Sequence, residues 1–158
     1  MSQHFNLLLQ QAIQLELNIG ELYLLFYRLL PDDSEFWWEL AIEEENHAAL
    51  LKTAELMNNS KIEIPEDILP PGINDLRESN QMIILAREDF EKKPDRTKAF
   101  QLAQEIEISA GESHYDKFMH SAPDSPLTEI FKKLNGDDID HAERIRQYML
   151  EHQIPEAK

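Results

Sequence analysis

Shifted against itself by 91 positions, the chain sets Ala12, Glu16, Gly20 and Glu21 on Ala103, Glu107, Gly111 and Glu112, so both stretches read A-x-x-x-E-x-x-x-G-E. They use two of only four glycines in the protein. Glycine inside a helix costs up to ~1 kcal/mol relative to alanine, so an equivalent interior pair points to close helix approach or a local bulge. Three residues further out of step, Leu40, Glu44, His47 and Ala48 match Leu134, Asp138, His141 and Ala142. A duplicated helical hairpin accounts for both matches. Two such hairpins around a pseudo-twofold axis bring four acids and two histidines near the middle.

The periodicity says where those side chains point. Trp37, Leu40, Ala41, Ala48 and Leu51 form one apolar helix face, with Glu44 and His47 in its middle. Leu127, Phe131, Leu134, Ile145 and Tyr148 form another, interrupted by Asp138 and His141. A carboxylate and an imidazole in an apolar seam are costly unless compensated, and a metal ion compensates both at once. With six histidines and 31 acids in 158 residues, roughly one acid three residues before a histidine is expected by chance. The spacing alone is therefore weak, and the shared register carries the argument. The competing reading makes the histidines satisfied core residues and the acids flanking groups.

The chain in order predicts helices over about 5–30, 35–57, 80–92, 96–120 and 126–153. Pro31-Asp32-Asp33-Ser34 breaks the first and caps the second, and Ser125-Pro126 starts the last. Pro65, Pro70, Pro71 and Gly72 mark residues 58–79 as a long connection. A tight hairpin, a long crossover holding a short extra helix, and a second tight hairpin give an all-α four-helix bundle of the ferritin-like kind, one domain over residues 1–158.

Composition narrows the chemistry. With no cysteine there is no disulfide, thiolate metal site or cysteine nucleophile, so any metal is held by oxygen and imidazole nitrogen. A net charge of -16 argues against nucleic acid or an anionic membrane as partner. The longest apolar run, Leu22 to Leu30, is short for a bilayer and contains Arg28. The start of the chain lacks signal-peptide features, and the expected location is the cytoplasm.

Glu16, Glu44, His47, Glu107, Asp138 and His141 together resemble the ligand set of the ferritin-like di-iron carboxylate proteins: one Glu from each of two helices and Glu-x-x-His from each of the others. Ala12-x-x-x-Glu16 with Tyr23 seven residues on, followed by Leu40-x-x-x-Glu44-x-x-His47-Ala48, is most similar to the rubrerythrin-like branch. The resemblance covers about residues 5–152. It implies two iron ions, with manganese or zinc as substitutes. Glu16 and Glu107 would be single-helix ligands, Glu44 and Asp138 bridging or chelating carboxylates, and His47 and His141 would each bind one metal. The implied activity is reduction of peroxide or dioxygen with oxidation of ferrous iron, in a homodimer. The implied alternatives are a ferroxidase or iron-handling protein, or a helical binding module without catalysis.

Departures from that family qualify the carry-over. Rubrerythrins proper have a rubredoxin-like domain with four cysteines; here electrons must come from a separate donor. The further carboxylate they carry three residues beyond Glu107 is Ala110. Asp138 is one methylene shorter than Glu, and Asn135-Gly136 before it could break the helix and make it an N-cap. His114 holds the slot of Tyr23 and is open to three roles: outer donor to the ligands, extra ligand or core residue. Glu21, Glu43, Glu45 and Glu112 are expected to face solvent.

Overall fold

The computed structural model describes residues 3–58, 73–113 and 126–157. Among the described residues the chain is all-helical: α1 (Gln3–Leu29), α2 (Ser34–Asn58), α3 (Ile73–Lys92), α4 (Arg96–Ser113) and α5 (Pro126–Glu151). None of these helices is long and apolar enough to cross a membrane.

Leu8, Leu9, Ala12, Leu15, Ile19, Leu22, Tyr23 and Phe26 recur at helical spacing and bury one face of α1. Pro31 stops this helix, because the residue before proline is pushed out of the helical region. Leu30 accordingly sits at φ -122° and ψ 74°. A single 3-10 turn over Pro31–Asp33 then hands the chain to α2. Asp33 is buried at that corner. Arg96 donates to both its oxygens, through Nε at 2.8 Å and Nη2 at 2.7 Å, and Tyr148 donates its hydroxyl at 2.9 Å. That one carboxylate ties the first hairpin to α4 and α5.

The crossover helix begins earlier than its periodicity suggested, at Ile73 rather than Asn80. Leu76 and Asn80 explain the extra turns, since both are buried against α1. The Asn80 amide donates to Gln11 O and to Leu76 O, and its oxygen accepts from Asn18 Nδ2 at 2.7 Å. A buried polar side chain with its partners met fixes a helix as firmly as an apolar one. Phe90 meets Phe26 edge-on at 4.6 Å near the other end. Asp95 caps α4, its carboxylate accepting from Lys98 N at 3.0 Å.

α1 packs along α2, α3 lies on α1, α4 packs on α5, and α5 closes against α2. The α1–α2 contact is close at Gly20, where an added Cβ would stand 3.3 Å from Glu44 Cβ and 3.5 Å from Ala41 O. Close approach is thus the reason for the first interior glycine. α5 ends in a Schellman arrangement with Gln153 at φ 55°, Ile154 N donating to Met149 O, and Ile154 itself buried.

Candidate metal centre

Four helices each send acid into one buried space. α1 supplies Glu16, α4 supplies Glu107, and α2 and α5 supply the pairs Glu44/His47 and Asp138/His141. His47 Nδ1 lies 3.2 Å from Glu44 Oε2, 3.5 Å from Glu16 Oε2 and 3.8 Å from Asp138 Oδ1. His141 Nδ1 lies 2.9 Å from Glu44 Oε1 and 3.6 Å from Glu107 Oε2. The two imidazole rings are nearly parallel, 5.3 Å apart. Glu44, Glu107, Asp138 and both histidines are buried, and Glu16 is 13% exposed. All six residues expected from the sequence therefore stand together.

Two triplets have ligand atoms mutually within 4.8 Å: Glu44, His47 and His141, and Glu107, Asp138 and His141. Glu44 touches both histidines, one with each oxygen. Glu44 Oε1 and His141 Nδ1 are also buried without a hydrogen-bond partner, although they stand at hydrogen-bonding distance from each other. Their alignment is wrong for sharing a proton. It suits two ligands side by side on one cation, since donors about 2.1 Å from an ion and at right angles stand about 3 Å apart. The donor set fits a divalent metal of intermediate hardness: oxygen and imidazole, no sulfur.

Asp138 lies inside continuous helix. α5 runs through Asn135 and Gly136 unbroken, so the N-cap alternative is overturned. Burial of the apolar face of α5 at Phe131, Leu134 and Ile145 outweighs the helical cost of the glycine, whose own added Cβ would meet nothing.

Glu43 corrects a second expectation. Its side chain is 37% exposed, yet it also contacts His141 Nε2 at 2.5 Å and accepts from Arg144 Nη1 at 2.7 Å. Its counterpart is Asp137, 3.3 Å from His47 Nε2 and held by Lys133 at 2.6 Å. Each histidine thus turns Nδ1 toward the acids and Nε2 toward a carboxylate from the other hairpin, which fixes ring orientation and raises imidazole basicity. The repeat contained the signal, because Glu43 and Asp137 match at the same offset of 94 as Glu44 and Asp138. Tyr23 donates its hydroxyl to Glu107 Oε1 at 2.5 Å. Glu21 and Glu45 are exposed as expected, with Glu21 paired to Arg87. His114 and Glu112 lie outside the described side chains.

The electrostatics record how crowded the acids are. Burial, reinforced by the Glu107 and Glu44 charges, pushes Asp138 up to about 8. Burial likewise raises Glu16 and Glu107, with Glu44's charge adding to both. Burial would raise Glu44 too, but the imidazoles of His141 and His47 hold it down at about 2. Burial opposes charge on the histidines, yet their acid neighbours outweigh it and raise each to about 11. Protons thus do the neutralising that a cation would otherwise do.

A cavity of about 620 Å³ opens against this cluster beside His47, Glu43, Asn46, Asp137 and Arg144. Comparison with family models, with curated proteins and with solved structures gives no match for this chain.

Proposed function

We propose that the chain is a ferritin-like, rubrerythrin-like di-iron oxidoreductase that reduces peroxide or dioxygen while ferrous iron is oxidised, with electrons from a separate donor. The observation that supports it best is the buried pair Glu44 Oε1 and His141 Nδ1, 2.9 Å apart without a hydrogen bond, at the meeting point of the two hairpins. On this reading Glu16, Glu44 and His47 would hold one ion and Glu107, Asp138 and His141 the other, with Glu44 within reach of both. Bound iron would supply the electrons taken up by the oxidant. The chain's residues do the rest. Four carboxylates balance the charge of two divalent ions, Glu43 and Asp137 aim the imidazoles, and Tyr23 keeps Glu107 in place. The cavity beside His47 gives a small oxidant a polar approach. A cytoplasmic homodimer completes the reading.

Ferrous iron added anaerobically to the purified chain should bind at about two per chain, and peroxide should then be consumed in the presence of a reductant. Iron uptake and storage without turnover would favour the ferroxidase alternative. A chain that takes up no iron, and whose partner binding changes with Glu44→Ala, would be the non-catalytic binding module.

A further inference from the structure

Aromatic rings form a file from the candidate centre to the surface. Tyr23, fully buried and bonded to Glu107, has its ring 5.6 Å from that of Trp37. Trp37 lies 4.5 Å from Phe100 and 5.2 Å from Phe36. Those two rings flank Tyr148, at 5.2 and 4.2 Å, and Tyr148 stacks on exposed His152 at 4.1 Å. A hydrophobic core requires rings but no carboxylate at each phenol. Here both phenols have one, Glu107 Oε1 for Tyr23 and Asp33 Oδ1 for Tyr148. Between them Trp37 Nε1 is buried with no hydrogen-bond partner, so an oxidised indole has nowhere to send its proton.

We propose that Tyr23, Trp37 and Tyr148 relay single electrons from a reductant at the His152 end of α5 to an oxidant at the carboxylate–histidine centre. This rests on the redox reading of that centre. The oxidant takes one electron from Tyr23, whose phenolic proton passes to Glu107 Oε1. Trp37 returns an electron to Tyr23 and Glu107 returns the proton, leaving Trp37 as a radical cation that keeps its N–H. Tyr148 reduces Trp37 across the layer of Phe36 and Phe100, which are too hard to oxidise to hold the charge, and releases its proton to Asp33. An external outer-sphere one-electron reductant restores Tyr148, and Asp33 gives the proton back. Each cycle moves one electron from reductant to oxidant and leaves all three side chains unchanged. The exposed pair Tyr27 and Trp38, 5.4 Å apart, lies off this route.

The test uses the full chain without added metal, oxidised by a photogenerated ruthenium(III) tris-bipyridine complex, with freeze-quench electron paramagnetic resonance as the readout. The expected result is a buried tyrosyl radical that Tyr23→Phe abolishes. Trp37→Phe should lose most of that signal while the Tyr148 radical persists. Tyr148→Phe, a half-buried change that spares the core, should also diminish the Tyr23 signal, and Trp38→Phe should not. Radicals confined to the surface in the wild type, or an undiminished Tyr23 signal in both Trp37→Phe and Tyr148→Phe, would overturn the relay. Because no iron is added, this outcome is read separately from iron binding, so failure of the relay and failure of the di-iron reading are distinct results.

Discussion

Glu44 Oε1 and His141 Nδ1 lie 2.9 Å apart, come from different halves of the repeat, and are both buried without a hydrogen bond. Glu44 Oε2 meanwhile faces His47 at 3.2 Å. One carboxylate thus touches the imidazole of each half. Glu44→Ala should remove metal from both halves, whereas Asp138→Ala should weaken only the half shared with Glu107 and His141. Elemental analysis after loading checks this: well below one ion per chain for the first variant, about one for the second.

Glu43 and Asp137 grip the outer nitrogens of His141 and His47 from the opposite hairpin. Such outer carboxylates typically contribute 10- to 100-fold, on the order of 1–3 kcal/mol, to metal affinity. Glu43→Gln and Asp137→Asn should therefore lower affinity by about that factor while leaving the saturating stoichiometry unchanged. Competition with a chromogenic chelator separates the two effects.

Acidity should act on the metal-free and metal-loaded forms in opposite directions. Asp138 is raised to about 8, so the stability it lends is full below the ordinary value of 3.8 and lost as pH rises through about 8. The histidines, raised to about 11, lose theirs between 6.5 and about 11. Glu44, lowered to about 2, instead contributes above 4.5 and loses that contribution as pH falls through about 2. The metal-free chain should accordingly melt lower as pH rises from mildly acidic to mildly basic. Metal must displace those same protons, so affinity should climb over the same interval. Melting curves with chelator and with saturating metal should diverge as pH increases.

The two described interior glycines should respond differently to alanine. At Gly136 an added Cβ meets nothing, so Gly136→Ala should stabilise by up to ~1 kcal/mol through helix propensity. At Gly20 the new carbon would press on Glu44 Cβ at 3.3 Å. Glu44 is buried between the histidines and cannot retreat. Overpacking of about 1–3 kcal/mol should outweigh the propensity gain. Thermal melts should move in opposite directions, and only Gly20→Ala should also weaken metal binding.

Much of the fold and of the site is legible in the sequence. The 3.6-residue period placed Glu16, Glu44, His47, Glu107, Asp138 and His141 on inward faces, and the repeat said which belonged together. What escaped had physical causes. Glu43 lies one residue off the inward stripe, so a single-helix view turns it toward water. Only α5, crossing beside α2, partly covers that flank and brings His141 Nε2 to it. Gly136 leaves a helix break open as an alternative in the sequence because propensity is local, while the burial that keeps α5 continuous comes from other helices. The start of α3 is not legible in the sequence because Asn80 and Leu76 carry a weak apolar signal, and Asn80 is anchored by Asn18 and Gln11 of α1.

The position of bound metal is the most direct test of the di-iron proposal. Crystals of the chain grown with ferrous iron, measured at wavelengths above and below the iron edge, should show two anomalous peaks about 3.5–4 Å apart. Both should lie within bonding distance of Glu44, one beside His47 and the other beside His141. Absence of anomalous density there from iron-loaded protein, with the six side chains still in contact, would contradict it.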